Sequence, residues 1–244
     1  MNRVVFAETL RRHVTNAGFL AYAALLAILA LGSSRFDAPG SLWPSMIVLL
    51  ALITGAGLIG PEFSSGTLQL ILVKPVNRSV YLISRVAGVV AALWIAIVLC
   101  AVVETIGRLL FSNSRGLAPV GIAAINTAAE VVLMCALLAL FGSLTRAYFN
   151  VAIYIGLQIA LAGLTGLLGM LTMSGGGFGF VSDLLKRFPQ IVQSIQWIDA
   201  NLFPDAPRGP LDRNWLLLVA SNAAIALVAA CFLFRRREVP YGAD

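Results

Sequence analysis

Charged residues are scarce in this sequence. Only 11% of the 244 residues are charged and 59% are hydrophobic, whereas a soluble domain averages about 25% charged residues. So little polar material cannot cover a globular surface. Apolar runs of roughly 18 residues or more recur instead, and this is the length that crosses a hydrocarbon core as a helix. Because the runs are continuous rather than alternating, barrel strands are excluded, and the sequence predicts an all-α polytopic membrane protein.

Residues that carry enzyme chemistry are also few. The only histidine is His13. The lysines are Lys74 and Lys186, and because neither follows a glycine, the chain has no phosphate-binding loop that ends in Gly-Lys-Ser/Thr. The three cysteines all fall inside apolar runs, where they behave as small hydrophobic residues. We therefore expect no catalytic residue, no metal site and no cofactor held by this chain.

Six apolar runs are interpreted as membrane spans. They are Ala17–Leu31, Leu42–Ile59, Val86–Val103, Gly121–Leu144, Val151–Met173 and Trp215–Phe234. Before the first span, Asn2–Thr15 places apolar residues at helical spacing, which predicts an interfacial helix in the headgroup plane. Between the fifth and sixth spans, residues 174–213 contain two short amphipathic pieces separated by Pro189. Neither piece is long enough to cross the membrane, so we predict an exterior re-entrant or surface-lying helical hairpin.

The basic residues predict the orientation of these spans. Six spans place both ends of the chain on one side, which holds Arg3, Arg11, Arg12, Lys74, Arg78, Arg85, Arg146 and Arg235–Arg237. On the other side, Glu104, Arg108 and Arg115 mark the far end of the third span, and further basic residues are spread over much longer loops. The positive-inside bias therefore predicts cytoplasmic termini. Because the basic residues lie at span ends, the net charge of +6 indicates orientation and not nucleic-acid binding.

The connection between the second and third spans has the pattern of a short helix outside the membrane. Pro61 ends the preceding run because it lacks an N–H and disfavours helix at the residue before it. Ser64 or Ser65 can cap a new helix start, and Glu62 places negative charge near the positive end of that helix. The predicted helix then runs to about Val73.

The end of this short helix is marked as well. Pro75 halts it, and Asn77 or Ser79 caps a second start that leads into the third span. A short, leucine-rich helix between two spans is an element that a protein outside the membrane could grip. The alternative is an ordinary polar loop with two helix caps.

The same connection resembles the cytoplasmic coupling segment of type-2 ATP-binding-cassette exporter permeases. That segment typically reads Glu, a few residues, Gly-Thr-Leu, a run of leucines, and then Pro-hydrophobic-Ser-Arg. The matching residues are Glu62, Gly66-Thr67-Leu68, Leu70-Ile71-Leu72 and Pro75-Val76-Asn77-Arg78. The sequence departs from the pattern with Asn77 where Ser is usual and with Lys74 where Ser is common. Neither change disturbs the predicted caps.

The resemblance implies one permease domain over residues 1–244, with 2–15 as elbow helix and 62–79 as coupling segment. It also implies that two such domains pair in the plasma membrane, as homodimer or heterodimer. Two separate ATPase subunits, which bind the ATP and Mg, would dock on the cytoplasmic face. The residues implied in coupling to the ATPase are Glu62, Gly66, Thr67, Leu68, Leu70, Pro75 and Arg78. Glu62 and Arg78 are expected to hold the segment's geometry, while Leu68 and Leu70 give the contact.

Asn126 and Glu130 are the sharpest polar feature inside a span. They lie one turn apart on the fourth span and so share a face. An acid at the centre of a span makes the free energy of insertion roughly 3 kcal/mol less favourable. The Val, Ile, Leu and Phe residues of this span contribute roughly 4 kcal/mol in favour of insertion, so the span can insert despite Glu130. Glu130 is expected either to line a substrate path or take part in proton coupling, or to pair with another helix and fix packing.

Two other functions remain open from the sequence. A secondary carrier or channel without an ATPase predicts buried ionisable pairs and internally similar halves, but only Glu130 lies at a span centre and no clear repeat is visible. A membrane force transmitter that moves no solute would carry the same coupling segment. The substrate is not specified by any motif. The largely apolar spans favour a lipid-like or amphiphilic substrate over a free ion.

Overall fold

The computed structural model describes residues 1–35, 41–58, 77–111, 116–145, 148–173, 189–204 and 211–236. These residues form eight helices: α1 Arg3–Val14, α2 Ala17–Arg35, α3 Trp43–Ala56, α4 Arg78–Leu110, α5 Ala118–Leu144, α6 Phe149–Met173, α7 Pro189–Leu202 and α8 Arg213–Arg236. The prediction of an all-α fold is confirmed for this part of the chain.

Five of the described helices are long and apolar enough to cross a membrane. They are α2, α4, α5, the Phe149–Gly166 part of α6, and α8. The predicted second span, Leu42–Ile59, corresponds to α3, which has 14 residues. At 1.5 Å per residue α3 is about 21 Å long, less than the roughly 30 Å of a hydrocarbon core. The membrane-spanning character is confirmed by five helices, and a sixth span stays a prediction.

Asparagine side chains begin three of the helices. The Oδ1 of Asn2 accepts the N–H of Val4 at 3.0 Å, and the Oδ1 of Asn16 accepts the N–H of Gly18 at 2.8 Å. Asn77 does the same for Ser79 at 3.1 Å at the start of α4. The first N–H groups of a helix have no partner within the helix, so an Asn side chain at this position stabilises the start. Of the two caps that the sequence offers for the third span, the structure uses Asn77.

The helices form two compact units. The first consists of Met1–Val151 and Ala206–Asp244, and α5 lies at its centre, in contact with α3, α4 and α8. Over its most apolar stretch, α5 is 56% buried, whereas α8 is 22% buried. The outward side of α8 exposes Leu217, Ile225, Val228 and Phe232. Apolar side chains exposed on a helix of membrane-spanning length are suited to contact with lipid.

The second unit, Ala152–Asp205, contains α7 and most of α6. The Thr165 hydroxyl donates to Asp199 Oδ2 at 3.2 Å, and the rings of Tyr154 and Phe203 meet edge to face with centroids 5.3 Å apart. Helix α7 lies within residues 174–213, for which the exterior hairpin stays a prediction. It begins at Pro189 because proline suits the first helical turn, where its missing N–H is not needed.

Helix α1 packs closely against α4. The backbone N–H of Asn2 donates to Ser84 Oγ at 2.8 Å. One turn further along α4, a Cβ placed on Gly88 would lie 2.7 Å from Thr9 Cβ and 3.1 Å from the Phe6 carbonyl oxygen. Glycine therefore permits this approach of the two helices. A helix is present where the interfacial helix was predicted, and it is held by contacts with α4; its position in the headgroup plane stays a prediction.

Replacing Gly88 by alanine is expected to separate α1 from α4. The new methyl group overlaps Thr9, and overpacking of this kind costs about 1–3 kcal/mol. Gly121→Ala is the matched control, because a Cβ there meets nothing within 4 Å and alanine favours helix. Thermal unfolding in detergent measures the effect. A Gly88→Ala protein as stable as the Gly121→Ala protein would contradict the close contact.

Candidate functional site

The predicted coupling segment lies between α3 and α4. Of its predicted residues, Arg78 is the first residue of α4, and the others fall in 59–76, outside the described residues. The structure does describe both ends of this segment, through Leu58 on one side and from Asn77 on the other. These two ends determine how a displacement of the segment would reach the helices.

The end of α3 is attached to α4. Leu58 is 1% exposed, and its carbonyl oxygen accepts from Arg85 Nε at 3.4 Å and Nη2 at 3.3 Å. Arg85 lies two turns into α4. Its guanidinium group therefore connects Leu58, which precedes residues 59–76, to α4, the helix that follows them. A cation also suits the negative end of a helix dipole.

Asn150 attaches the last turn of α3 to α5 and α6. Its side chain is fully buried, and its Nδ2 donates to the carbonyl oxygens of Gly55 at 3.2 Å and Leu138 at 3.3 Å. The Leu138 side chain lies where a Cβ of Gly55 would be. The absence of a side chain at Gly55 thus lets α3 approach α5, and the amide of Asn150 connects both helices to the start of α6.

The start of α4 is covered by protein. Tyr81 and Leu82 are 3% and 0% exposed. The Ser84 hydroxyl donates to the Val80 carbonyl at 2.7 Å and accepts the N–H of Asn2. Helix α1 therefore covers the first turns of the helix that follows the segment.

His13 lies close to these contacts, and nearby positive charges act on its imidazole. Burial and the positive charges of Arg85 and Arg12 lower the pKa of the imidazole below its usual value. Both effects disfavour the charged form. His13 is accordingly neutral at neutral pH, and α1 packs with an uncharged imidazole near Arg85.

Asn126 and Glu130 both lie on α5, the most enclosed of the spans. Asn126 is 4% exposed and Glu130 is partly buried. Both residues take part in hydrogen-bonding or electrostatic interactions. The predicted roles of Glu130, in a substrate path, in proton coupling or in helix packing, stay predictions. Among the residues that the structure describes, no group of three or more His, Cys, Asp and Glu side chains could hold a metal ion.

Two features were missed by sequence reasoning. Asn150 was not assigned a role, and Glu104 and Arg108 were treated as markers of a span end. In the structure Glu104 and Arg108 are 0% and 4% exposed and form an ion pair with an N–O distance of 2.7 Å. Their spacing of four residues on a helix was the available signal. Nothing in the sequence indicates what Asn150 contacts.

Acidification is expected to weaken the packing of α1 through His13. Because the folded-state pKa is lowered, the folded protein binds fewer protons than the unfolded one. The free energy of unfolding is therefore not reduced by His13 above its pKa in the unfolded protein, about 6.5. It falls as the pH drops from there towards the lower pKa of His13 in the folded protein. The unfolding temperature should decrease between pH 7.5 and 5.5 by more in the wild-type protein than in His13→Gln. Equal decreases in the two proteins would rule out this role of His13.

Comparison with known proteins assigns no family to the chain. No protein-family model matches the sequence, and no curated protein matches it. The functional assignment therefore depends on the residue pattern between α3 and α4 and on the contacts that fix its two ends.

Proposed function

We propose that this chain is the membrane-spanning permease subunit of an ATP-binding-cassette exporter. Separate ATPase subunits bind ATP and Mg and dock on the segment around Leu68. Two permease subunits, as a homodimer or heterodimer, enclose the substrate path in the plasma membrane, with the termini and residues 62–79 in the cytoplasm. The substrate is lipid-like or amphiphilic, because most of the surface of the spans is apolar.

The observation that carries this proposal is the pattern from Glu62 to Arg78 in its structural setting. The pattern lies between two helices whose adjoining ends are both fixed, at Leu58 by Arg85 and at Ser84 by Asn2. If the adjoining helix ends were free to move, a displacement of the segment would be absorbed there and would not reach the helices. Ends that are held by contacts of this kind would pass the displacement on to α3 and α4.

The path of the displacement follows from the contacts of α3. Asn150 connects the last turn of α3 to α5 and to the first residues of α6, so movement of α3 would reach α5 and these residues. Closure of the ATPase pair would push on Leu68 and Leu70. Rigid-body shifts of packed helices of this kind convert a local contact into a change of opening.

The docking site is tested by substitution of Leu68 in the full chain. Leu68→Asp places a charge on the proposed apolar contact, and burying an unpaired charge is strongly unfavourable. The tagged protein is purified from its native host in mild detergent, and the co-eluting ATPase is quantified. We expect Leu68→Asp to reduce ATPase recovery at least about tenfold, while the protein still inserts into the membrane.

Gln69→Asp is the matched control. It introduces the same charge at the next position, which is already polar, and it is expected to keep ATPase recovery within about twofold of wild type. Recovery that is equal in the Leu68→Asp and wild-type proteins would contradict docking at this segment. Wild-type protein that elutes without any nucleotide-binding subunit would contradict the exporter function itself.

A further inference from the structure

The beginning of α3 and the end of α4 meet at one carboxylate, at the side of these two helices that lies away from residues 59–76. Glu104 on α4 has no exposed surface. Its Oε1 accepts from Ser41 Oγ at 2.9 Å and from Arg108 Nη2 at 2.7 Å, and its Oε2 accepts from Trp43 Nε1. Ser41 precedes α3, and Trp43 is the first residue of α3. The carboxylate thus joins the beginning of α3 to the last turns of α4.

Arg108 extends the same network to the next helix. Its Nη1 donates to the carbonyl oxygen of Gly116 at 3.0 Å, and Gly116 lies just before α5. The backbone of Gly116 has a φ of 69°, a conformation that glycine adopts without strain. We call Ser41, Trp43, Glu104, Arg108 and Gly116 the distal cluster.

Helix α2 ends beside the distal cluster. Ser34 occupies the space where a Cβ of Gly107 would be, so α2 and α4 approach closely one residue before Arg108. The guanidinium group of Arg35 lies over the ring of Phe111, 5.5 Å from its centroid. The ends of α2 and α4 and the beginnings of α3 and α5 are therefore held together at this point.

The chemistry of the cluster favours fixed geometry over added stability. A buried ion pair loses the hydration of both charges, and apolar residues of similar volume often stabilise a protein as well or better. The pair is tolerated here because Glu104 accepts four hydrogen bonds, two of them from Arg108. Each of these bonds has a direction and a length. Together they set the position of α3 relative to α4 more narrowly than apolar contacts do.

We propose that Glu104 is a positioning residue that holds the distal ends of α3, α4 and α5 in one arrangement. Residues 57–77 join α3 and α4 covalently at the other end, so the two helices are connected at both ends. The mechanical consequence rests on the proposed function. A push on residues 59–76 would then move α3 and α4 as one body, instead of spreading them apart at the distal end.

Trp43 is a built-in reporter of this arrangement. The chain has four tryptophans, and Trp94→Phe, Trp197→Phe and Trp215→Phe leave Trp43 as the only one. Its side chain has no exposed surface, so collisional quenching by acrylamide should be weak in the purified full chain. Glu104→Gln removes the negative charge of the carboxylate to which both Arg108 and the Trp43 indole donate hydrogen bonds. We expect the quenching constant to rise at least about threefold and the unfolding temperature to fall.

A double variant separates positioning from stability. Glu104→Met with Arg108→Met removes both charges and keeps an apolar filling, so the unfolding temperature is expected to stay near that of wild type. The indole N–H of Trp43 and the hydroxyl of Ser41 still lose their acceptor. Quenching should therefore rise as in Glu104→Gln. Quenching that stays at the wild-type value in this stable variant would overturn the positioning role.

Ser41→Ala gives a milder test in a protein that keeps the ion pair. It removes one donor to Glu104 and is expected to raise quenching less than Glu104→Gln does; a value equal to wild type counts against the cluster. All variants should retain ATPase co-elution, because the cluster lies away from 59–76. Co-elution with Leu68→Asp tests ATPase docking alone, and quenching of Trp43 tests the positioning role of Glu104 alone. Either proposal can therefore fail while the other holds.

Discussion

Buried polar contacts at the two ends of α3 are the constraint on which the rest of the structure depends. A membrane offers no water to satisfy a backbone or side-chain group, so each such group needs a partner within the protein. At one end of α3 these partners are Asn150 and Arg85, which bind the Gly55 and Leu58 carbonyl oxygens. At the other end Glu104 accepts from Trp43. A short helix held at both ends can transmit displacement with little loss.

A single hydrogen bond between membrane helices contributes on average only about 0.6 kcal/mol. The polar contacts of α3 therefore hold it through their number and through their positions at both of its ends. Apolar packing fills the space between the contacts. Helix α5 lies against α3, α4 and α8, and Leu138 occupies the space beside Gly55. Polar contacts set the relative positions of the helices, and the packed core of α5 resists their separation. The two effects act on the same helices that adjoin residues 59–76.

The fold was largely predictable because hydrophobic length and helix caps are local signals. The long runs predicted α2, α4, α5, α6 and α8, and Asn77 was one of two predicted caps for the helix start at which the structure places it. The second predicted span was less well defined, since α3 ends at Ala56. The contacts of Asn150, and those of Glu104 with Ser41 and Trp43, were not predictable. Their partners lie up to 95 residues away in sequence, and no local pattern indicates which carbonyl or indole a side chain will meet.

An ATPase in the cytoplasm can dock on residues 59–76 only if this segment faces the cytoplasm. The most direct measurement is the accessibility of a single cysteine at position 69, introduced as Gln69→Cys after Cys100, Cys135 and Cys231 are replaced by alanine. A membrane-impermeant maleimide is added to intact cells and to permeabilised cells. The account predicts labelling only after permeabilisation. Labelling of intact cells to the same extent would place the segment outside and contradict the proposed role of this chain as an exporter permease.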